Sequence, residues 1–170
     1  MKNALLVAAL VLIANSALGA DVVRHKIPNS DFPIAQAVEI PAGKTLVFVS
    51  GAGPDIAGKT ADKNSPAAYG DTKAQTLNTL KKIEATLKSL GLRMNDVVKM
   101  QVFLVGDPAL GGKMDFAGLM DSYRQFFGTA EQPNLPARSA MQVAALANPA
   151  YLVEIEVVAV RRAKPEKPEK

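Results

Sequence analysis

Cysteine and tryptophan are absent from this 170-residue sequence, histidine occurs once, and phenylalanine and tyrosine together make up only 5%. Each shortage removes a class of function. Without cysteine there is no disulfide, no thiolate nucleophile and no sulfur ligand for a metal. The single imidazole, His25, lies between Arg24 and Lys26 near the start of the chain, where a solvated terminal strand accounts for it. A zinc site therefore lacks donors, and a histidine-based triad would have to use that one residue. The net charge is +4, yet there is no run of lysine and arginine and no interleaving of basic with aromatic residues. The footprint of a nucleic-acid binder is missing. So is any internal repeat.

Long apolar runs are also missing. The one candidate, residues 4–14, follows Lys2 and gives way to the small residues of Asn15-Ser16-Ala17-Leu18-Gly19-Ala20. It is too short to span a bilayer and has the form of a cleaved secretory leader, ending after Gly19 or Ala20. No cysteine follows, so no lipid anchor and no stable membrane attachment is expected, and the destination is the periplasm or the medium. At the other end, residues 163–170 alternate charge with proline and read as a disordered tail. Residues 21–162 remain for one domain, long enough to enclose a single core.

Within that domain, residues 35–40 and 45–51 read as two short strands about a hairpin turn at Pro41-Ala42-Gly43-Lys44. Residues 52–70 show little periodicity and read as a long surface loop. Thr72-Lys73-Ala74-Gln75 has a capping-box pattern ahead of Leu77, Leu80, Leu87 and Leu90, with Gly91 as the stop: an amphipathic helix. Residues 97–105 form a strand in which Met100, Val102 and Leu104 alternate with Lys99, Gln101 and Phe103. Asp115 caps a second helix carrying Phe116, Leu119, Met120, Tyr123, Phe126 and Phe127, stopped by Gly128. Two more strands complete the order β-β-α-β-α-β-β. The expected fold class is an α+β sandwich, one mixed sheet with both helices on one face. The other face of the sheet is then left for association.

The last two strands hold the most telling pair. Arg138 begins one and Glu154 lies within the next, with a break near Ala147-Asn148-Pro149-Ala150. Read as an antiparallel pair, they bring a guanidinium and a carboxylate to one end of the sheet. Such a site grips a small carboxylic acid and positions a water beside it. An ordinary salt bridge, or two side chains in solvent, is the simpler reading of the same spacing.

The stretch 135–162, with Pro136-Ala137-Arg138-Ser139 and Val153-Glu154-Ile155-Glu156-Val157-Val158-Ala159-Val160, resembles the C-terminal signature of the Rid/YjgF family. The same order holds for Thr45-Leu46-Val47-Phe48-Val49-Ser50-Gly51, for the strand from Asp96 to Leu104, and for Tyr123-Arg124-Gln125-Phe126-Phe127. The resemblance covers roughly residues 30–162. It implies a chorismate-mutase-like fold, a homotrimer with active sites in the clefts between subunits, and hydrolysis of 2-imino or enamine acids to 2-oxo acids and ammonia without a cofactor.

By the same resemblance, Arg138 grips the substrate carboxylate, where a planar bidentate donor is required and lysine would supply only a point charge. Glu154 positions the water, and Ser50 and Gly51 line the pocket. From the residues alone Ser50 is a strand-end cap. Glu156 shares Glu154's expected face, but Glu154 matches the motif better, although the preceding turn is one residue longer than the common pattern. The chain departs from the family's deaminase branch at three pocket positions: Ile34 stands where tyrosine is common, Met120 where asparagine is, and Ala140 where cysteine is. Those exchanges remove polar anchors. The pocket then suits a larger apolar side chain or supports only weak turnover. A non-catalytic protein that binds small carboxylates or holds unfolded clients is the alternative reading. Gly51-Ala52-Gly53 begins like a dinucleotide loop, but Ile56 occupies the third glycine's place. RNA cleavage finds neither paired histidines nor a stacking platform.

Overall fold

Strand β4 (Val97–Val105) owes its central place to its alternation: Met100, Val102 and Leu104 are fully buried on one side, while Lys99, Gln101 and Phe103 point to the other. The computed structural model describes residues 21–57 and 62–161. Around β4 lie β1 (Val23–Lys26), β2 (Ala35–Glu39), β3 (Thr45–Ala52), β5 (Ala137–Val143) and β6 (Val153–Arg161), in the order β1-β2-β5-β4-β6-β3. Helix α1 (Thr72–Ser89) follows β3, and α2 (Phe116–Tyr123) lies between β4 and β5. Both helices cover one face of a mixed sheet, the α+β architecture expected. The expected leader, residues 1–20, and the expected tail, residues 163–170, lie outside the described residues, as does part of the loop at 52–70.

The core lies between the helices and that face. Leu80, Ile83 and Leu87 of α1 and Leu119, Met120 and Tyr123 of α2 pack on Met100, Val102, Leu104, Ile155 and Val157. Each such aliphatic side chain contributes about 1.5–3 kcal/mol by leaving water. Asp71, rather than Thr72, caps α1 by accepting from Ala74 N. The expected capping box is therefore displaced, because Gln75 is used elsewhere. Its buried amide donates to Gly70 O and Ala150 O and accepts from Leu152 N. Leu90, expected on the apolar face, is 42% exposed at the helix end.

Two expected pairings are corrected. The runs at 35–39 and 45–52 do not form a hairpin. β2 pairs antiparallel with β1, while β3 pairs with β6 at the far side of the sheet. Val47 and Val49 need an apolar partner on the core face, which Val157 and Ala159 of β6 supply and the mostly exposed β2 does not. Nor do β5 and β6 pair with each other. β4 lies between them, parallel to β5 and antiparallel to β6. The crossover through α2 makes β4 and β5 parallel neighbours, so the free side of β4 is left for β6.

His25 is on the exposed edge strand β1, with Nε2 2.7 Å from Glu39 Oε1. The loop at 52–70 is less superficial than its composition suggests. Ala68 and Tyr69 are buried against Ala150 and Tyr151, and Tyr69 OH donates to Lys63 O. Among the described residues, no helix is long and apolar enough to cross a membrane.

Candidate active site

Arg138 faces the helices. Its Cα partner on β4 is Met100, a core residue, so the two side chains leave the same side of the sheet. The guanidinium carbon lies 4.2 Å from the Tyr123 ring centroid, 5.5 Å from Phe32 and 5.8 Å from Phe116. Arginine over aromatic faces is a favourable arrangement where water is scarce. Nη1 is buried and has no hydrogen-bond partner among the described residues. Burial lowers the Arg138 pKa from its ordinary value; the Tyr123 hydroxyl opposes that shift, and nearby Arg124 adds to it.

Tyr123 organises this corner. Its hydroxyl donates to Pro33 O at 2.8 Å, tying the segment before β2 to α2, and its ring stacks on Phe127. Burial holds its pKa well above the usual phenol range, with the Arg138 charge pulling the other way. Pro33 is thereby fixed between Phe32 and Ile34. Arg24 supports the approach to β5 from the other side, donating to Leu135 O, Asn95 O and Val97 O. Met120 is 7% exposed, while Ile34 and Ala140 are partly buried against the same core. Ala140 lies two residues along β5 from Arg138, on the same face.

Glu154 faces the other way. Its partner on β4 is Phe103, on the helix-free face. The carboxylate folds over Gly51, where an added Cβ would overlap Oε1 and come within 2.9 Å of Cδ. Ser50 and Gly51 occupy the register shift of β3 between Val49 and Ala52, a bulge that re-aims the strand end toward β6. Beside them Phe48, Ser50, Lys99, Gln101, Glu156 and Val158 line a shallow cleft of about 280 Å³. Glu156 shares Glu154's face, as their spacing requires.

The expected site residues thus fall into two groups. Arg138, Ile34, Met120 and Ala140 gather under the helices. Glu154, Ser50 and Gly51 gather on the open face, and β4 separates the two sets within one chain. Phe32 and Phe116 were missed by the sequence reading, although a signal was available. Phe116, Met120 and Tyr123 are spaced four and three residues apart on one helix and share a face. Phe32 stands two residues before Ile34.

The open face is not a finished surface. Phe48 is 75% exposed with Leu46 exposed beside it on β3, and Met141 is exposed on the same face, three strands away on β5. Apolar groups gathered in this way mark an association or ligand surface more often than isolated ones do.

Known proteins share this fold. A model of the endoribonuclease L-PSP family matches residues 26–161. A RutC family protein of Haemophilus influenzae is 35% identical over 138 residues, covering 81% of this chain and 94% of its own. The 2-iminobutanoate/2-iminopropanoate deaminase of Salmonella typhimurium is 30% identical over 141 residues, covering 83% and 97%. Among solved structures, the Escherichia coli YjgF gene product superposes with a TM-score of 0.54 at 32% identity, over 79% of this chain and 93% of that one. E. coli TdcF with bound serine also gives 0.54, at 30% identity, over 83% and 98%. The helices on a mixed sheet, the Arg138 and Glu154 motifs and these likenesses have one common explanation: the chain belongs to the endoribonuclease L-PSP family, the Rid/YjgF proteins.

Proposed function

We propose that this protein hydrolyses reactive 2-imino acids, and the enamines that tautomerise to them, to 2-oxo acids and ammonia. The observation that carries the reading is the environment of Arg138: a charge in an aromatic corner, with a buried N–H lacking a partner. A group so placed gains from an arriving carboxylate, and charge-assisted hydrogen bonds contribute roughly 1.5–3 kcal/mol. Relatives named as imine deaminases supply the chemistry that fits such a ligand.

In the proposed reaction Arg138 holds the carboxylate and leaves C2 of the protonated imine open to attack. Glu154 orients a water and takes one of its protons as oxygen bonds to C2. The resulting carbinolamine collapses: Glu154 returns its proton to the nitrogen, the C–N bond breaks as the hydroxyl becomes C=O, the hydroxyl proton leaves with ammonia as ammonium, and the 2-oxo acid remains. No redox partner is needed. Ser50 and Gly51 line the approach, and Gly51 leaves room for the Glu154 carboxylate.

One chain does not bring the two groups together, so the site is completed between copies. Exposed Phe48, Leu46 and Met141 favour burial of the open face in a homotrimer, the assembly that the resemblance implies. We also assign export to the periplasm or medium to residues 1–20, which N-terminal sequencing of the native protein would test.

The functional test is a coupled assay on the protein lacking residues 1–20, in which an amino-acid oxidase generates imines and semicarbazide traps them. Faster imine decay with wild type, lost in Arg138→Ala, supports the deaminase. An unchanged rate in that variant removes the mechanism. Binding of 2-oxo acids without acceleration of any imine would favour a carboxylate-binding protein, a reading that Ile34 and Met120 motivate.

A further inference from the structure

We propose that the Arg138 corner selects 2-imino acids with bulky apolar side chains, aromatic or branched aliphatic, and that Phe32 and Phe116 determine this specificity. The inference rests on the deaminase reading and narrows it to a substrate class.

The geometry supplies the argument. The rings of Phe32 and Phe116 lie 6.3 Å apart, with their planes 14° from parallel. The Arg138 guanidinium carbon is nearly equidistant from them, at 5.5 and 5.8 Å. A carboxylate gripped there directs the rest of its molecule, within two or three bonds, toward the same rings. Phe116 is 37% exposed in the first turn of α2, an apolar surface left open beside the half-buried guanidinium of Arg138.

The corner offers little to a polar side chain. Tyr123 OH is committed to Pro33 O. Ile34, Met120 and Ala140 bring neither hydroxyl, amide nor thiol. A guanidinium set against apolar walls suits a ligand that has a carboxylate at one end and a hydrocarbon group at the other. A methyl side chain would leave the rings wet, whereas a benzyl or isobutyl group would cover them. One methylene in such a pocket changes selectivity by about tenfold or more.

Two readouts separate this inference from the reading beneath it. Calorimetry would compare pyruvate, 4-methyl-2-oxopentanoate and phenylpyruvate as stable product ligands. The semicarbazide assay would compare imines made from alanine, leucine and phenylalanine. Wild type is expected to bind the two bulky oxo acids at least about tenfold more tightly than pyruvate, and its kcat/KM to follow the same order. In Phe116→Ala both ratios collapse toward one, while Phe116→Leu, which keeps apolar bulk, retains most of the preference. Pyruvate binding as tightly as phenylpyruvate in wild type, with its imine turned over as fast, would overturn the selectivity and leave the deaminase standing. Preferential binding of the bulky oxo acids with no turnover of any imine would overturn the deaminase and keep the selectivity. Absence of both binding and turnover would remove both.

Discussion

The guanidinium of Arg138 and the ring of Tyr123 are in face contact, the guanidinium carbon 4.2 Å from the ring centroid. The hydroxyl of that ring fixes Pro33 at 2.8 Å. Tyr123 is therefore a positioning residue for both the cation and the segment bearing Phe32 and Ile34. Tyr123→Phe keeps the ring but orphans the Pro33 carbonyl. A loss of about 1–3 kcal/mol in urea unfolding is expected, with a rise in KM larger than the fall in kcat.

The same residue sets an alkaline limit. Burial raises the Tyr123 pKa in the folded state, so the folded chain holds its proton more tightly than the unfolded chain does. Its contribution is fully present below the ordinary phenol value of about 10 and is lost as pH rises from there toward the folded value. Wild type should lose stability above about pH 10 more steeply than Tyr123→Phe. Unfolding curves at stepped pH would show parallel slopes if the phenol were not involved.

Gly51 is small because Glu154 lies where its side chain would be. The first atom an added methyl meets is the end of a flexible side chain, so the backbone need not move and stability should change by less than about 1 kcal/mol. The carboxylate must move, however. Gly51→Ala is expected to lower kcat by about a hundredfold with little change in melting temperature.

Glu154→Gln keeps the shape and removes the base. A fall in kcat of about 10²–10⁴ is expected, with binding of 2-oxo acids retained. Arg138→Lys should show the converse, with ligand affinity falling by about tenfold or more as the bidentate grip is lost. Calorimetry beside the imine assay separates the two effects.

Gln75 is a structural hinge point with no part in the chemistry. Gln75→Leu would leave Leu152 N, Ala150 O and Gly70 O without their present partner in a buried place. A loss of about 2–4 kcal/mol is expected in chemical denaturation. A change under about 0.5 kcal/mol would show that other groups or water replace the amide.

The existence of both helices, all five principal strands and the stop at Gly91 could be read from residue order, because periodicity, caps and glycine act over a few neighbours, although α2 ends at Tyr123, short of the expected stop at Gly128. Strand partners could not. Residues 35–39 and 45–52 look like a hairpin locally, yet Val47 and Val49 pair across the sheet with Val157 and Ala159 because burial outweighs proximity in the chain. Gln75 looked like a capping residue until the turn at 148–152 reached it.

The candidate site divides in the same way. Sequence singled out Arg138 and Glu154 as candidates through a motif that resembles the family's, since their spacing alone suited a salt bridge equally well. Only the tertiary structure decided that they face opposite sides of the sheet. Side-chain direction follows from register, and register here depends on β4 entering between two strands that are neighbours in the chain. The aromatic corner of Phe32, Phe116 and Tyr123 likewise exists only once α2 is laid over β5, because it joins residues about ninety positions apart through packing that no local pattern encodes.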